Sequence, residues 1–154
     1  MSSIEYKGDK SIEDVLSECG IYASVTKGGS MLPLLRAGRD VVYIAPAVRP
    51  LKKYDVILFR VGDRYVLHRI IRFTDSGYIC RGDNNFFTET VPHESLVGVL
   101  IRYHRNGKSY DTDTARFRIR GALRGLSYPV RLVLRKARRL CGRLIRKIKG
   151  GKNG

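Results

Sequence analysis

The sequence predicts a mainly β domain, a rolled antiparallel sheet or partial barrel, with a short N-terminal helix and a basic amphipathic C-terminal helix. The chain has 154 residues and is 43% hydrophobic, which suits one domain with a real core plus an appendage. Residues 22–113 alternate between short apolar stretches and Gly, Pro or Asn-Gly turns, a pattern typical of antiparallel strands. Residues 114–154 form a basic tail.

The N-terminal segment, residues 1–21, is predicted to contain a short helix. Ser11 and Asp14 fit a capping box ahead of an apolar pair, and Gly20 ends the pattern. The segment mixes acidic and basic residues without an apolar run, so it does not match a secretory signal peptide. No apolar stretch in the chain approaches the roughly 20 residues of a membrane-spanning helix.

Seven stretches between the N-terminal helix and the tail are predicted to be strands, because they are rich in β-branched and aromatic residues and stop at turn residues. The predicted strands are Tyr22–Lys27, Asp40–Ala45, Asp55–Arg60, Tyr65–Phe73, Gly77–Arg81, Leu96–Tyr103 and a returning strand that begins at Ser109.

The C-terminal tail carries almost all of the net charge. Residues 1–115 hold 16 Lys and Arg against 14 Asp and Glu, whereas residues 116–154 hold 14 basic residues and no acidic one. Residues 116–126 contain two glycines and are interpreted as a short basic segment or linker. A helix is then predicted with Ser127 as its N-cap and its end at Gly150.

The predicted tail helix, residues 130–149, has apolar residues three and four positions apart on one face and mostly Arg on the other. This pattern favours a helix lying on an anionic membrane surface. Packing on a partner protein or on the chain's own domain ranks second. Nucleic-acid binding ranks last, because phosphate contacts favour clustered Arg but do not require a continuous apolar stripe.

A serine in a glycine-rich loop is a candidate nucleophile. Ser30 follows Gly28 and Gly29, which allow a tight loop whose N–H groups approach a substrate carbonyl. An ordinary surface loop is the alternative interpretation.

A histidine and an aspartate are candidate partners for that serine. His68 lies in an apolar strand and shares a face with Val66 and Ile70, so it is either a buried structural residue or a general base. Its ordinary pKa of about 6.5 suits proton abstraction at neutral pH. Asp83 lies in the tight turn 82–85 and is either a turn residue or an acid that orients the imidazole.

Four motifs follow one another along the chain with compatible gaps. They are Ser30-Met31-x-Pro33, Tyr54–Phe59, His68–Ile71 and Gly82–Asn85, and a Val-Gly element follows at Leu96–Val99. Over residues 22–102 this order resembles the type I signal peptidases, whose superfamily also contains the LexA-like self-cleaving proteins. The resemblance implies their rolled antiparallel fold.

The resemblance further implies a serine endopeptidase of the Ser/His branch. His68-Arg69 stands where archaeal and eukaryotic-type catalytic subunits carry His-Arg and where bacterial enzymes use Lys. Ser30 is therefore expected to be the nucleophile and His68 the general base. Asp83 is expected to be the orienting acid, ahead of Glu89, which stands six residues later at the position of a second family acid.

The loop around the serine is expected to form the oxyanion hole and to contact substrate. The Ser30 N–H would donate to the oxyanion, and Gly28 stands where many relatives carry a hydroxyl donor. The residues expected to shape the oxyanion hole, the cleft and the turn are Gly28, Gly29, Met31 and Pro33. Asp40 and Asp55 match acids in family motifs and are expected to have structural roles.

The expected partners are a peptide or precursor-protein substrate, of the leader or signal type, and an anionic membrane surface. The chain is expected to be cytoplasmic and peripheral to the membrane, because no apolar anchor precedes the catalytic region. No cofactor or metal is expected, since the three histidines lack ligand spacing and no phosphate-binding glycine loop occurs. Two alternatives stay open: an inactive peptide- or membrane-binding module on the same fold and, ranked lower, a LexA-like self-cleaving regulator.

Overall fold

The structure is a computed structural model that describes residues 3–4, 10–135, 137 and 141. Within these residues, nine strands form one open antiparallel sheet accompanied by helices. In chain order the elements are β1 (Ser3–Ile4), α1 (Ile12–Cys19), β2 (Tyr22–Val25), β3 (Val41–Ala45), β4 (Val56–Val61), β5 (Arg64–Thr74), β6 (Gly77–Arg81), β7 (Glu89–Pro92), a 3₁₀ turn (His93–Ser95), β8 (Leu96–Arg105), β9 (Lys108–Asp111) and α2 (Ala115–Leu126).

The sheet follows the order β2-β3-β8-β4-β5-β6-β7, with β1 paired to β5 and β9 paired to β8. The mainly antiparallel β class predicted from the sequence is therefore confirmed, and each of the seven predicted strands is present with shifts of a few residues at its ends. The sequence did not predict β1 or β7. β7 has only four residues and lies at the edge of the sheet. Its last residue, Pro92, has no N–H, and an edge strand tolerates this because no further strand needs that donor.

Two apolar clusters lie on the two faces of the sheet. Alternation along β4 sends Val56 and Leu58 into one cluster and Ile57 and Phe59 into the other. The first cluster also receives the buried side of α1. β4 is consequently buried on both faces and forms the centre of the domain.

Helix α1 begins and ends as the sequence predicts. The Ser11 hydroxyl accepts the Asp14 N–H at 3.1 Å, and the Asp14 carboxylate accepts the Ser11 N–H at 3.1 Å, which completes the capping box. Gly20 closes the helix in the left-handed conformation with φ of 70°. This terminates the N-terminal helix immediately before β2.

The interpretation of residues 116–126 as a linker is wrong, because they belong to α2. Thr114 caps this helix by accepting the Phe117 N–H at 3.2 Å, and Phe117 is buried in the first apolar cluster. Gly121 does not interrupt the helix but lets it approach the sheet: a Cβ there would lie 2.8 Å from Arg69 Nη1. The glycine that suggested a linker is thus a close-packing position.

The helical conformation continues beyond α2. Ser127 is the C-cap of α2, in the right-handed helical conformation, and not the N-cap that was predicted for the tail helix. Its N–H donates to the Leu123 carbonyl and its own carbonyl accepts the Arg131 N–H, each at 3.0 Å. Residues 128–135 are helical, as predicted. The rest of the predicted helix to 149, apart from residues 137 and 141, lies outside the described residues.

Candidate active site

Three of the predicted catalytic residues form a continuous contact chain. Ser30 Oγ lies 3.0 Å from His68 Nε2, and His68 Nδ1 lies 2.9 Å from Glu89 Oε2. Ser30 and His68 are buried, whereas the Glu89 side chain retains 19% exposure. The imidazole is therefore held between a hydroxyl and a carboxylate.

Strand pairing places the imidazole and the carboxylate. His68 lies in β5 opposite Ile57 of β4, and its ring centroid is 5.9 Å from that of Phe59. Glu89 begins β7 and pairs with Cys80 of β6, so its strand lies two strands from β5 in the sheet. The base thus stands on a central strand and the acid on the edge strand.

The turn at residues 82–85 packs directly on the serine loop. The Asn84 N–H donates to the Ser30 carbonyl at 2.7 Å, and the Asn84 side chain donates to the Gly29 carbonyl at 3.2 Å. A Cβ at Gly82 would lie 2.7 Å from the Ser30 carbonyl oxygen, so only glycine fits. These contacts fix the backbone of Ser30, a role that the sequence did not reveal for this turn.

Asp83 does not contact the imidazole. Its carboxylate accepts two hydrogen bonds from Arg69, from Nε at 2.7 Å and from Nη2 at 2.8 Å. Arg69 also donates to the Tyr54 carbonyl at 2.7 Å, and both members of the ion pair are buried. Of the two candidate acids it is thus Glu89 that contacts the imidazole, whereas Asp83 pairs with a buried arginine.

Burial lowers the pKa of His68 below its ordinary value of 6.5, and the Glu89 carboxylate opposes part of this shift. The lowered pKa means that the imidazole is neutral at pH 7. With Nδ1 facing a carboxylate, the ring proton belongs on Nδ1, which leaves Nε2 as an acceptor toward Ser30.

The other residues predicted for the serine loop have distinct positions. Met31 was expected to shape the cleft, but it is completely buried in the first apolar cluster and so anchors the loop from within. Pro33 lines a cavity of about 290 Å³ together with Arg120 and Arg124. Gly28 adopts a φ of 74°, which favours glycine at this position.

Asp40 and Asp55 have structural roles, as expected. Asp40 accepts the Arg36 N–H at 2.9 Å and the Arg105 Nε–H at 2.8 Å. Asp55 accepts a loop N–H at 2.9 Å and an Arg49 guanidinium N–H at 2.8 Å. Each carboxylate ties a loop to a neighbouring segment and lies outside the Ser30–His68–Glu89 chain.

The helical tail contacts the turn that supports the serine. Arg124 Nε and Arg131 Nη1 both donate to the Asp83 carbonyl, at 3.0 and 2.9 Å. The Tyr128 hydroxyl donates to the Phe86 carbonyl at 2.9 Å. Packing of the tail on the chain's own domain ranked second in the sequence analysis, but a basic segment does not indicate which groups its arginines bind.

The arrangement has the parts of an acyl-transfer site: a hydroxyl, a neutral imidazole in hydrogen-bond contact with it, and a carboxylate on the second ring nitrogen. Among the described residues, no group of three or more His, Cys, Asp or Glu could hold a metal ion. No helix in the described part of the chain is long and apolar enough to cross a membrane. No family model, curated protein or solved structure matches this chain.

Proposed function

We propose that this chain is a serine endopeptidase of the signal-peptidase-like class, on the rolled sheet of that superfamily. The contact chain from Ser30 through His68 to Glu89 carries the proposal. These residues are 38 and 21 positions apart in sequence, yet they meet at 3.0 and 2.9 Å in the order nucleophile, base and acid. A structural histidine requires one satisfying partner, but this one faces both groups that acyl transfer needs.

In the proposed reaction, Ser30 Oγ attacks the scissile carbonyl carbon while His68 Nε2 takes the hydroxyl proton. Collapse of the tetrahedral intermediate breaks the C–N bond, and the imidazolium gives its proton to the leaving amine. Water then attacks the acyl-enzyme, with His68 again taking a proton, and releases the peptide acid and free Ser30. Glu89 holds the Nδ1–H and stabilises the imidazolium in both steps.

The oxyanion would be stabilised by backbone donors of the serine loop, the Ser30 N–H among them. Gly28 supplies no side-chain hydroxyl at the position where many signal peptidases have one. Since one oxyanion-hole donor is worth about 10²–10³ in kcat, we expect slow turnover unless a backbone group replaces the missing donor.

The substrate class follows from the resemblance. Signal peptidases prefer small residues immediately before the cut, and we expect the same preference here. A leader- or signal-type peptide of a precursor protein fits this class.

The proposal is tested by incubating the full chain with a mixture of peptides that vary at the residue before the cut and mapping the products by mass spectrometry. Cleavage after small residues by wild type, abolished in Ser30→Ala, is the expected result. Ser109→Ala is the matched control, because Ser109 lies on the exposed strand β9 and its loss should leave cleavage unchanged. Equal cleavage by wild type and Ser30→Ala would overturn the proposal.

One observation favours a second candidate, a peptide-binding module that keeps the fold without useful turnover. Gly28 leaves the oxyanion hole without a side-chain donor, and fold alone does not establish activity. This candidate predicts that wild type and Ser30→Ala bind the same peptides equally and that neither cleaves them.

A further inference from the structure

Six large apolar side chains are exposed along the outer face of α2 and the helical residues that follow it. Leu126 is 73% exposed and Val133 is 65% exposed, unusual values for aliphatic residues on an ordered helix. They recur at intervals of three and four residues across Ser127, so they occupy an arc of about 100° on one helix face. This outer stripe consists of Ile119, Leu123, Leu126, Val130, Val133 and Leu134.

The opposite face of the same helix is already occupied by the domain. Phe117 is buried in the first apolar cluster, and Gly121 lies against Arg69. Arg124 and Arg131 hydrogen bond to the Asp83 carbonyl. Because these contacts fix the rotation of the helix, the outer stripe faces away from the domain and is free to meet another surface.

The charges around the stripe indicate the chemistry of that surface. Arg116 and Arg120 lie along its borders by helical spacing, as does Arg118, whose guanidinium pairs with Asp113 at 2.8 Å. From residue 116 to the last residue the sequence has 14 Lys and Arg and no Asp or Glu. A partner must therefore be apolar in its centre and anionic around it. The interface of an anionic bilayer has both properties, whereas nucleic acid lacks the apolar part.

We propose that the outer stripe docks on an anionic lipid bilayer, with its aliphatic side chains at the boundary between headgroups and acyl chains. This function is separate from the peptidase activity and does not depend on it. It includes Ile119, Leu123 and Leu126, which belong to the segment that the sequence suggested was a linker. Since the inner face of the helix is bonded to the turn that supports Ser30, docking also holds the candidate active site at the bilayer surface.

The experiment uses the full-length Ser30→Ala protein, so that lipid binding is measured without peptidase activity. The protein is sedimented with vesicles of an equal mixture of phosphatidylglycerol and phosphatidylcholine, and with vesicles of phosphatidylcholine alone. We expect binding to the mixed vesicles, weakened by salt, and little binding to phosphatidylcholine.

Two variants and a matched control separate the stripe from general charge attraction. Leu123→Glu and Leu126→Glu should each weaken binding to the mixed vesicles by about tenfold, because each removes a buried aliphatic contact with lipid. Val48→Glu makes the same change of charge in the loop between β3 and β4, where Val48 is 92% exposed. This control should weaken binding by less than about threefold. Circular dichroism of each variant verifies that the fold is kept.

Four results would overturn the proposal. The first is no binding to the mixed vesicles, and the second is equal binding by Leu126→Glu and Val48→Glu. The third is a dimer of the Ser30→Ala protein in solution that Leu123→Glu converts to a monomer, which would assign the stripe to a second copy of the chain. The fourth is tight binding to DNA that displaces the vesicles and is unaffected by Leu123→Glu.

Discussion

Strand β5 has two adjacent basic residues, His68 and Arg69, and each contacts a carboxylate. His68 faces Glu89 at 2.9 Å, and Arg69 faces Asp83 at 2.7 and 2.8 Å. Neighbouring residues of a strand point to opposite faces, so the two pairs stand on opposite sides of the sheet.

The two pairs differ in what their bases can do. A guanidinium is always charged, so the buried Asp83 carboxylate serves it only as a counter-ion. The imidazole is neutral at pH 7 because burial lowers its pKa, so it can accept a proton, and its carboxylate stays partly exposed. The role of each carboxylate is therefore decided by the basic group that it contacts, and not by whether it belongs to an Asp or a Glu.

The largest expected effect is on catalysis at Glu89. Glu89→Gln should lower the rate of peptide cleavage by about 10³-fold or more, because the amide neither fixes the Nδ1–H tautomer nor stabilises the imidazolium. The free energy of unfolding, measured by urea titration, should change by less than in Asp83→Asn. A fully active Glu89→Gln enzyme would contradict the role of this pair.

The next effect is on stability at Asp83. Asp83→Asn should lower the free energy of unfolding by about 3–5 kcal/mol, because it leaves Arg69 buried without a counter-ion. The double variant Arg69→Met/Asp83→Leu should recover much of this loss in the same urea titration, since it removes both charges. A large loss of cleavage rate in Asp83→Asn at unchanged stability would show instead that Asp83 is the catalytic acid.

Two glycines of α2 test how closely this helix packs on Arg69. Gly121→Ala should lower the free energy of unfolding by about 1–3 kcal/mol, because its Cβ would meet Arg69 Nη1 at 2.8 Å and Tyr54 Cβ at 3.0 Å. Gly125→Ala is the matched control four residues along. Its Cβ would meet nothing nearer than 3.8 Å, so the variant should gain up to about 1 kcal/mol from helix propensity. Equal thermal shifts of both variants would refute the close packing of α2 on Arg69.

The pH dependence of kcat/KM tests the contact between His68 and Glu89. Burial lowers the pKa of His68 below 6.5, so kcat/KM should stay constant from pH 8 to pH 6.5 and fall only at lower pH. Glu89 raises the pKa of His68, so the acid limb of Glu89→Gln should move to lower pH. The unfolded chain takes up a proton at His68 below about pH 6.5 while the folded chain does not, so the free energy of unfolding should also fall there. An acid limb above pH 7 would contradict a lowered pKa.

The smallest effect concerns the cysteines near and far from the site. Burial raises the pKa of the Cys80 thiol to about 12, so iodoacetamide should alkylate Cys80 far more slowly than the exposed Cys19. Peptide mapping of the alkylated protein gives both rates. Comparable rates at the two thiols would show that β6, which pairs with the Glu89 strand, opens readily.

Local sequence signals predicted the local features of the fold. The Ser11–Asp14 capping box and the Gly20 stop define α1 through contacts within a few residues. The Asn106-Gly107 turn has positive φ at both residues, 50° and 74°, as the type I′ hairpin requires. These features need no knowledge of the rest of the chain, and the same holds for the strands with clear alternation.

The features that the sequence did not predict depend on distant partners. β7 becomes a strand by pairing with β6, and the close packing that requires Gly121 in α2 is apparent only beside Arg69 and Tyr54. The sequence selected Ser30 and His68 and kept both acids as candidates. Only the three-dimensional arrangement of β5, β7 and the 82–85 turn assigns one acid to each base.

Acylation of Ser30 tests most directly whether His68 activates this serine. Wild type, Ser30→Ala and His68→Ala would be treated with a serine-directed acylating probe shaped like a peptide that ends in a small residue, and adducts would be followed by intact mass. We expect a single adduct on wild type at neutral pH, none on Ser30→Ala and a rate at least about 10²-fold lower on His68→Ala. Equal labelling of wild type and His68→Ala, or no labelling of folded wild type, would contradict an activated serine at this site.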